Sequence, residues 1–526
     1  MSNAAATRVF IIGLDGADWS LLRPLFEDGA MPALSAFVKA GASATLESVL
    51  PTNSMSAWTS FMTGVNPGKH GMFDFVRRTE TPFQTDLTNS SSIRAETVWE
   101  TLTRRGLSSC VIDMPPLYPP FEINGVMMGG MGAAAGVKRN YSWPSDAAAK
   151  VEGAIGEFLP DVAWLGKGRS QSDLLAELIA HVENRRRATE FLLTDRPWDV
   201  FCSVFVAPDR IQHVFWRDLT ERGPGYPEAR RFYAALDAAL ASVLDRIDLT
   251  NTDVLIVSDH GFRSAERTFD VNQFLVEGGF VQGRRAYSAA AWGLRSLGAR
   301  IPIPKSVALP LIDAQWKLQR RILQGSVAYS DTTDGVCVNL AGRQPAGVVA
   351  PSDYDDVRRT VAARLLEFRD PETGTPVVRN VVKREDYFRG EYAGEAPDLI
   401  LELHDGYAYV GRTGKVVHKW MRGEGVHSRQ GIIAGLGPHI RRSTAAAPVS
   451  IMDVAPTVLS LLGVPVPEDC DGRIAEGLLA GPPSPAGKGP AQASERPPVP
   501  ARQPSAYTAD EEAVVKERLR GLGYID

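Results

Sequence analysis

The chain has 526 residues, 44% hydrophobic and 23% charged, with a formal net charge of −5. That length is too great for one small core, and the composition is that of an ordinary folded protein, not a fibrous or disordered one. The slight acidity gives no global reason to bind a nucleic-acid polymer, and four scattered cysteines (Cys110, Cys202, Cys337, Cys470) with no CxxC pair argue for thiols in a reducing compartment, with the cytoplasm as the expected location.

The first apolar run, residues 9–14, is far too short to span a bilayer and follows no export-signal pattern. It reads as a buried strand that ends in Asp15. Residues 108–112, 200–206 and 253–257 look like further buried strands, and 399–403 and 431–436 are additional candidates. Helical periodicity fills 174–193 and 227–247. This alternation predicts a three-layer α/β/α sandwich around a mainly parallel sheet. Ligands in such sheets gather beyond the carboxyl ends of the strands, so the polar residues after each apolar run are the ones to inspect.

Residues 1–264 are expected to form the first part of the core, 265–395 a cap or insertion, and 396–480 the second part. Within the insertion, residues 280–325 carry eight Arg and Lys against one acid, Asp313, with Trp292 and Trp316 interleaved. A solvated helical face with a buried seam is one reading; peripheral contact with an anionic membrane is the other. Residues 481–506, rich in Pro, Ala, Gly and Ser, read as a flexible linker. A docking helix over 507–526 follows, with Thr508 and Glu511 in a capping-box pattern and Leu522, Tyr524 and Ile525 as docking side chains.

Chemistry collects in four segments that share an apolar strand followed by polar residues. VFIIGLDGAD places Asp15 at a strand end, while Asp18 sits past the turn as a helix cap. PTNSMSAWTSFMTG is a hydroxyl-rich turn leading into a helix, with Thr52, Ser54 and Ser56 as rival nucleophiles. FCSVFVAPDRIQHVFW sets Asp209 and His213 four residues apart, on one face of a helix and close enough to hold one ion. TDVLIVSDHGF places Asp259 and His260 directly after a strand. Each cluster alone is a weak signal, but carboxylates and imidazoles gathered at three strand ends are hard to explain as packing. Buried carboxylates need a compensating charge, which a divalent cation supplies. Mixed Asp and His ligation suits zinc, with manganese or iron as alternatives. Two such ions suit phosphoryl transfer, and a helix N-terminus also favours an incoming phosphate.

Together LDGADW, AWTSFMTGVNPGKHG, PDRIQHVFW, SDHGF and EGVHSRQGIIAGLGP make the chain resemble the alkaline phosphatase superfamily, in its type I phosphodiesterase/nucleotide pyrophosphatase branch. The resemblance covers residues 8–132, 198–283 and about 390–479. It implies that Ser54 is the nucleophile and that Asp15, Asp259 and His260 hold the metal on its side. It further implies that Asp209, His213 and His427 hold the second metal; His427 has no assignment without it. The chain departs from the family at the nucleophile turn, where many diesterases have Thr followed two residues on by Pro and this chain has Ser54 and Ser56. The Ser54-Met55-Ser56-Ala57-Trp58 stretch also lacks the Pro and Arg of a sulfatase core.

These implications point to a metal-dependent phosphodiesterase that passes through a covalent phospho-serine. Its partner would be a small phosphate ester, a nucleotide or a phospholipid head group. A phosphomonoesterase, a phosphotransferase or phosphomutase, and a non-catalytic binding protein with structural metals are the alternatives. His70 is expected to stabilise a turn, Lys69 to be solvated, Trp58 and Trp216 to be core residues, and His181, His404, His418 and His439 to be surface or packing residues.

Overall fold

The computed structural model describes residues 8–78, 85–132, 140–161, 170–281, 325–330, 335–344, 346–409, 415–419, 425–442, 446–481, 507–508 and 511–516. The basic stretch with Trp292 and Trp316, nearly all of the linker at 481–506, and Leu522, Tyr524 and Ile525 lie outside the described residues.

Apolar runs dominated by Val, Ile and Phe pair into a nine-stranded sheet. Its order is Val449–Ser450, Ala42–Glu47, Gln430–Leu436, Thr252–Val257, Arg8–Leu14, Val200–Phe205, Ser109–Ile112, Gly125–Met128 and Ser142–Trp143. Pairing is parallel without interruption from Thr252–Val257 to Gly125–Met128, whereas Gln430–Leu436 runs antiparallel to both neighbours. Strands buried on both faces need no polar alternation, which is why they stand out as continuous hydrophobic runs.

The period of two along a strand divides the interior. In Arg8–Leu14, Phe10, Ile12 and Leu14 join one core cluster, and Val9 and Ile11 join the other. Helices Gln171–Asp195, Ala207–Glu221 and Tyr226–Leu244 supply Leu178, Phe215 and Leu236 to the first face. Ser54–Thr63, Val98–Arg104 and Val454–Leu461 supply Trp58, Trp99 and Val458 to the second. The result is the expected α/β sandwich with helices on both faces of a mainly parallel sheet.

A second, smaller core surrounds a four-stranded sheet in the order Ala328–Tyr329, Gly335–Val338, Leu399–Leu403 and Val378–Lys383. The pairs within it are antiparallel. Leu399–Leu403 therefore belongs to this lobe, and in hydrogen-bonding terms the central sheet resumes at Gln430. The strand Gly261–Phe269 links the two cores: it starts beside Asp259 and His260 and ends with Phe269 buried in the smaller core. The lobe also grips the turn around Ser54, since the Tyr387 hydroxyl accepts from Leu50 N (2.9 Å) and Asn66 Nδ2 donates to the Tyr387 carbonyl (3.1 Å).

Near the C-terminus, Thr508 N donates to Glu511 and Glu511 N to the Thr508 hydroxyl, the reciprocal pair of a capping box. Among the described residues, no helix is long and apolar enough to cross a membrane.

Candidate active site

Each chemistry-bearing side chain is delivered by an element that its local sequence specifies. Asp15 ends the Arg8–Leu14 strand, and Asp259 and His260 follow Thr252–Val257 after Ser258. Asp209 lies in the first turn of Ala207–Glu221, with His213 one turn later. Ser54 opens the helix Ser54–Thr63, whose first turn is capped when Asn53 accepts from Ser56 N (3.0 Å). His427 lies on Gly425–Ser428, which pairs antiparallel with Gly261–Phe269 and sets His427 opposite Phe262. That register stacks the His427 ring on His260, with centroids 3.7 Å apart.

All seven residues singled out in the sequence converge at the carboxyl edge of the central sheet. His427 Nε2 lies 3.1 Å from Asp209 Oδ1 and 3.2 Å from His213 Nε2, and His213 Nε2 lies 3.4 Å from Asp209 Oδ1. His260 Nε2 is 3.3 Å from Asp259 Oδ2, 3.8 Å from Asp15 Oδ1 and 3.3 Å from Ser54 Oγ. Two groups have donor atoms close enough to hold an ion: Asp209 with His213 and His427, and Asp15 with Asp209 and His260. Asp209 belongs to both. Asp259 adjoins the second group.

Histidine protonation supports cation binding here. His213 Nδ1 faces the Gly425 carbonyl (3.1 Å), His260 Nδ1 the Gly261 carbonyl (3.2 Å) and His427 Nδ1 the Thr52 carbonyl (3.2 Å). A carbonyl oxygen can only accept, so each Nδ1 carries a proton and donates it. In the neutral imidazoles the Nε2 lone pairs then point at carboxylates and at one another, which is repulsive unless a cation lies among them. Two buried carboxylate oxygens, Asp15 Oδ1 and Asp259 Oδ2, accept no hydrogen bond. Such atoms are costly to bury, and metal coordination would satisfy them.

The charge balance agrees. Burial, reinforced by the Asp259 and Asp209 charges, raises the Asp15 carboxyl well above the usual range. Burial foremost pushes Asp259 up to about 7. Burial also drives His260 well down, helped by His427. Asp209 differs: burial opposes its ionisation, but His213, hydrogen bonds from both histidines and Arg210 hold it well below the ordinary value.

The rival hydroxyls are engaged elsewhere. Thr52 Oγ1 donates to the Val49 carbonyl (3.1 Å), and Ser56 Oγ is buried without a hydrogen-bond partner. His70 is an internal brace, with Nε2 2.9 Å from Ser60 Oγ and Nδ1 accepting from Met72 N. Lys69 pairs with Asp471 (2.7 Å) instead of facing the site. Trp216 is a core residue, as is Trp58, but Trp58 also donates from Nε1 to Asp15 Oδ2 (3.2 Å). A Cβ on Gly13 would come within 2.8 Å of the Trp58 ring, so that glycine makes room for the contact.

Sequence reading missed three supporting residues. Arg210 Nη1 donates to Asp209 Oδ2 (2.6 Å), Gly16 N donates to Asp259 Oδ1 (3.1 Å), and Phe262 packs edge-on against the His213 and His427 rings. Their only signal in the sequence is adjacency to a candidate ligand.

The chain is similar to solved structures of the same overall fold. One is phosphonoacetate hydrolase from Sinorhizobium meliloti 1021 in complex with phosphonoacetate, with 17% identity and a TM-score of 0.55 over 87% of this chain and 96% of that one. Another is murine ectonucleotide pyrophosphatase/phosphodiesterase 5, with 14% identity and a TM-score of 0.50 over 90% of this chain and all of the other. No curated protein matches the chain by sequence. The family model for type I phosphodiesterase/nucleotide pyrophosphatase matches residues 9–428, most of the length. The chain therefore belongs to the type I phosphodiesterase/nucleotide pyrophosphatase family, within the alkaline phosphatase superfamily, and is a hydrolase of phosphoric ester bonds.

Proposed function

We propose that the protein is a phosphodiesterase that works through a covalent phospho-Ser54 intermediate, with two divalent cations, zinc in the first instance, held by Asp15, Asp259 and His260 and by Asp209, His213 and His427. The observation that carries this reading is the convergence of three Nε2 lone pairs and two unsatisfied carboxylate oxygens within reach of the Ser54 hydroxyl. When bound, the cations would offset the buried negative charge, lower the pKa of the attacking hydroxyl and polarise the phosphoryl group.

Ser54 Oγ, at the start of a helix, attacks phosphorus in line; the Oγ–P bond forms as the bond from phosphorus to the departing alkoxide breaks. The backbone N–H groups of that helix start favour the anionic phosphoryl group. Water then attacks phosphorus, the Oγ–P bond breaks, and Ser54 recovers its proton. His213 and His427 are the more accessible ligands, at 12% and 11% side-chain exposure, whereas Asp15, Asp259 and His260 are enclosed. Substrate and water therefore approach from the His213–His427 side. The lobe built on Leu399–Leu403 serves as the cap that limits the leaving group, since it contacts the segment carrying Leu50 and Asn66. All four cysteines are free thiols, in keeping with a reducing compartment such as the cytoplasm.

The test is metal analysis of the purified full-length protein, followed by turnover of matched aryl phosphodiester, aryl phosphomonoester, aryl sulfate and phosphonoacetate. Diester turnover that is lost with a chelator and restored by zinc supports the reading. A monoester preference of a hundredfold or more (about 2.7 kcal/mol) overturns the diesterase assignment.

A further inference from the structure

Arg210 is the next residue after Asp209, and neighbouring residues on a helix point about 100° apart. The guanidinium nevertheless turns back, and Nη1 donates to Asp209 Oδ2 at 2.6 Å. The carboxylate is thereby divided: Oδ2 is held by Arg210, and Oδ1 faces His427 Nε2 at 3.1 Å and His213 Nε2 at 3.4 Å. Arg210 is itself enclosed, with 3% of its side chain exposed, so the contact is not a loose surface pair.

A cation in this position carries a cost. Its charge repels any divalent ion that Asp209 holds, and the low dielectric of the interior strengthens the repulsion. Asp161 lies on the far side, with Oδ1 3.9 Å from Arg210 Nη2, and its side chain is equally enclosed at 3%. It supplies negative charge away from the ligands, so the guanidinium can orient Asp209 while part of its field is offset. Arg suits this task better than Lys because its planar fork can address two carboxylates in fixed directions.

We infer that Arg210 is a positioning residue for the candidate metal ligand Asp209, presenting Oδ1 alone to the histidine pair, and that Asp161 is its counter-ion. The inference rests on the two-cation reading above and assigns a role that the metal ligands do not include. An ion pair that served only the fold would affect stability and leave metal affinity alone. A positioning pair affects affinity, and the two residues depend on each other.

The experiment measures zinc(II) affinity and stoichiometry of full-length wild type, R210M, R210K, D161N and D161N/R210M by competition with a chromophoric chelator, together with kcat, KM and melting temperature. R210M should weaken one zinc equivalent by about 10- to 100-fold, the usual effect of an outer-shell change, and lower kcat more than KM changes. R210K should recover part of the loss. D161N should weaken zinc binding severalfold when Arg210 is present and have little effect when it is absent. Wild-type affinity and stoichiometry in R210M, with only the melting temperature reduced, would overturn the positioning role. If R210M does not fold, wild-type affinity in both R210K and D161N does the same. Additive effects of D161N and R210M would overturn the counter-ion assignment. A wild-type protein that takes up no divalent metal would overturn the proposed function as well, whereas metal-binding wild type beside an indifferent R210M overturns this inference alone.

Discussion

Asp398 in the smaller lobe and Asp15 in the central core are equally buried, yet they are treated in opposite ways. Asp398 accepts from Val338 N (2.7 Å), Arg343 (2.7 Å to Oδ1) and the Tyr354 hydroxyl, and Arg384 lies 3.0 Å away. Burial alone would raise its carboxyl, but Arg343 and these neighbours hold it below the ordinary value. Asp370 is matched in the same way by Arg267. Asp15 has one hydrogen bond from Trp58, an oxygen with none, and two further acids nearby. A buried acid completed by its own chain is a fastening. One left incomplete at the end of a strand is a site waiting for charge from outside.

The largest effect that this contrast predicts is on turnover, not on folding. Ser54→Ala removes the nucleophile and leaves every candidate ligand in place, so activity should fall on the order of 10⁴-fold or more while metal content stays near wild type. Substantial residual activity would move the nucleophile to Thr52 or Ser56.

Asp398→Asn should be costly for the fold instead, by about 3–5 kcal/mol at neutral pH, because it leaves two arginines facing a neutral partner. The folded-state pKa is depressed, so the stabilisation is present above the unfolded value near 3.8 and is lost as pH falls through the still lower folded value. The gap between wild type and variant, followed by denaturant unfolding, should close below about pH 4, and a gap independent of pH would refute the pairing argument. Asp15→Asn should act in the reverse sense. A raised folded pKa penalises the metal-free folded protein once pH exceeds about 3.8. The metal-free variant should thus be no less stable than metal-free wild type at pH 7, while zinc affinity falls by at least about 100-fold, the upper end of what an outer-shell change costs. Equal loss of metal-free stability in both aspartate variants would erase the distinction between the two regions.

Much of this contrast could be read from the sequence. Asp15 and Asp259 follow uninterrupted apolar runs, and the spacing of Asp209 and His213 is that of one helical turn. The ends of the central strands fall within a residue of expectation, because hydrophobic continuity marks a buried strand directly. His427 was not legible on those terms. It sits on a short strand of mixed character, and only the pairing with Gly261–Phe269 brings it to His260; the family resemblance supplied it instead. Leu399–Leu403 has the same apolar signature as the central strands, and nothing in that run says which sheet will receive it. Arg210 was invisible for a related reason. Beside Asp209 on a helix it reads as a solvated charge, and only the coordinates turn it inward.

The smallest expected effect concerns the C-terminal segment, which we propose as a docking element. Tyr507 donates its hydroxyl proton to the Gly132 carbonyl (2.7 Å), and its ring lies against Tyr118, with centroids 5.6 Å apart. Gly132 follows Met131, whose N–H is held by Asp113. Tyr507→Phe keeps the ring and deletes one hydrogen bond, so the cost should be about 1 kcal/mol. Because the lost contact ends on a loop, protection of the Met131 amide in hydrogen exchange should drop, while the Asp398 region keeps its wild-type exchange. Zinc affinity should not change, since Tyr507 makes no contact with a candidate ligand. If the Met131 amide exchanges at the wild-type rate in both Tyr507→Phe and Tyr507→Ala, the tail does not brace this loop, and its docking role fails independently of the metal centre.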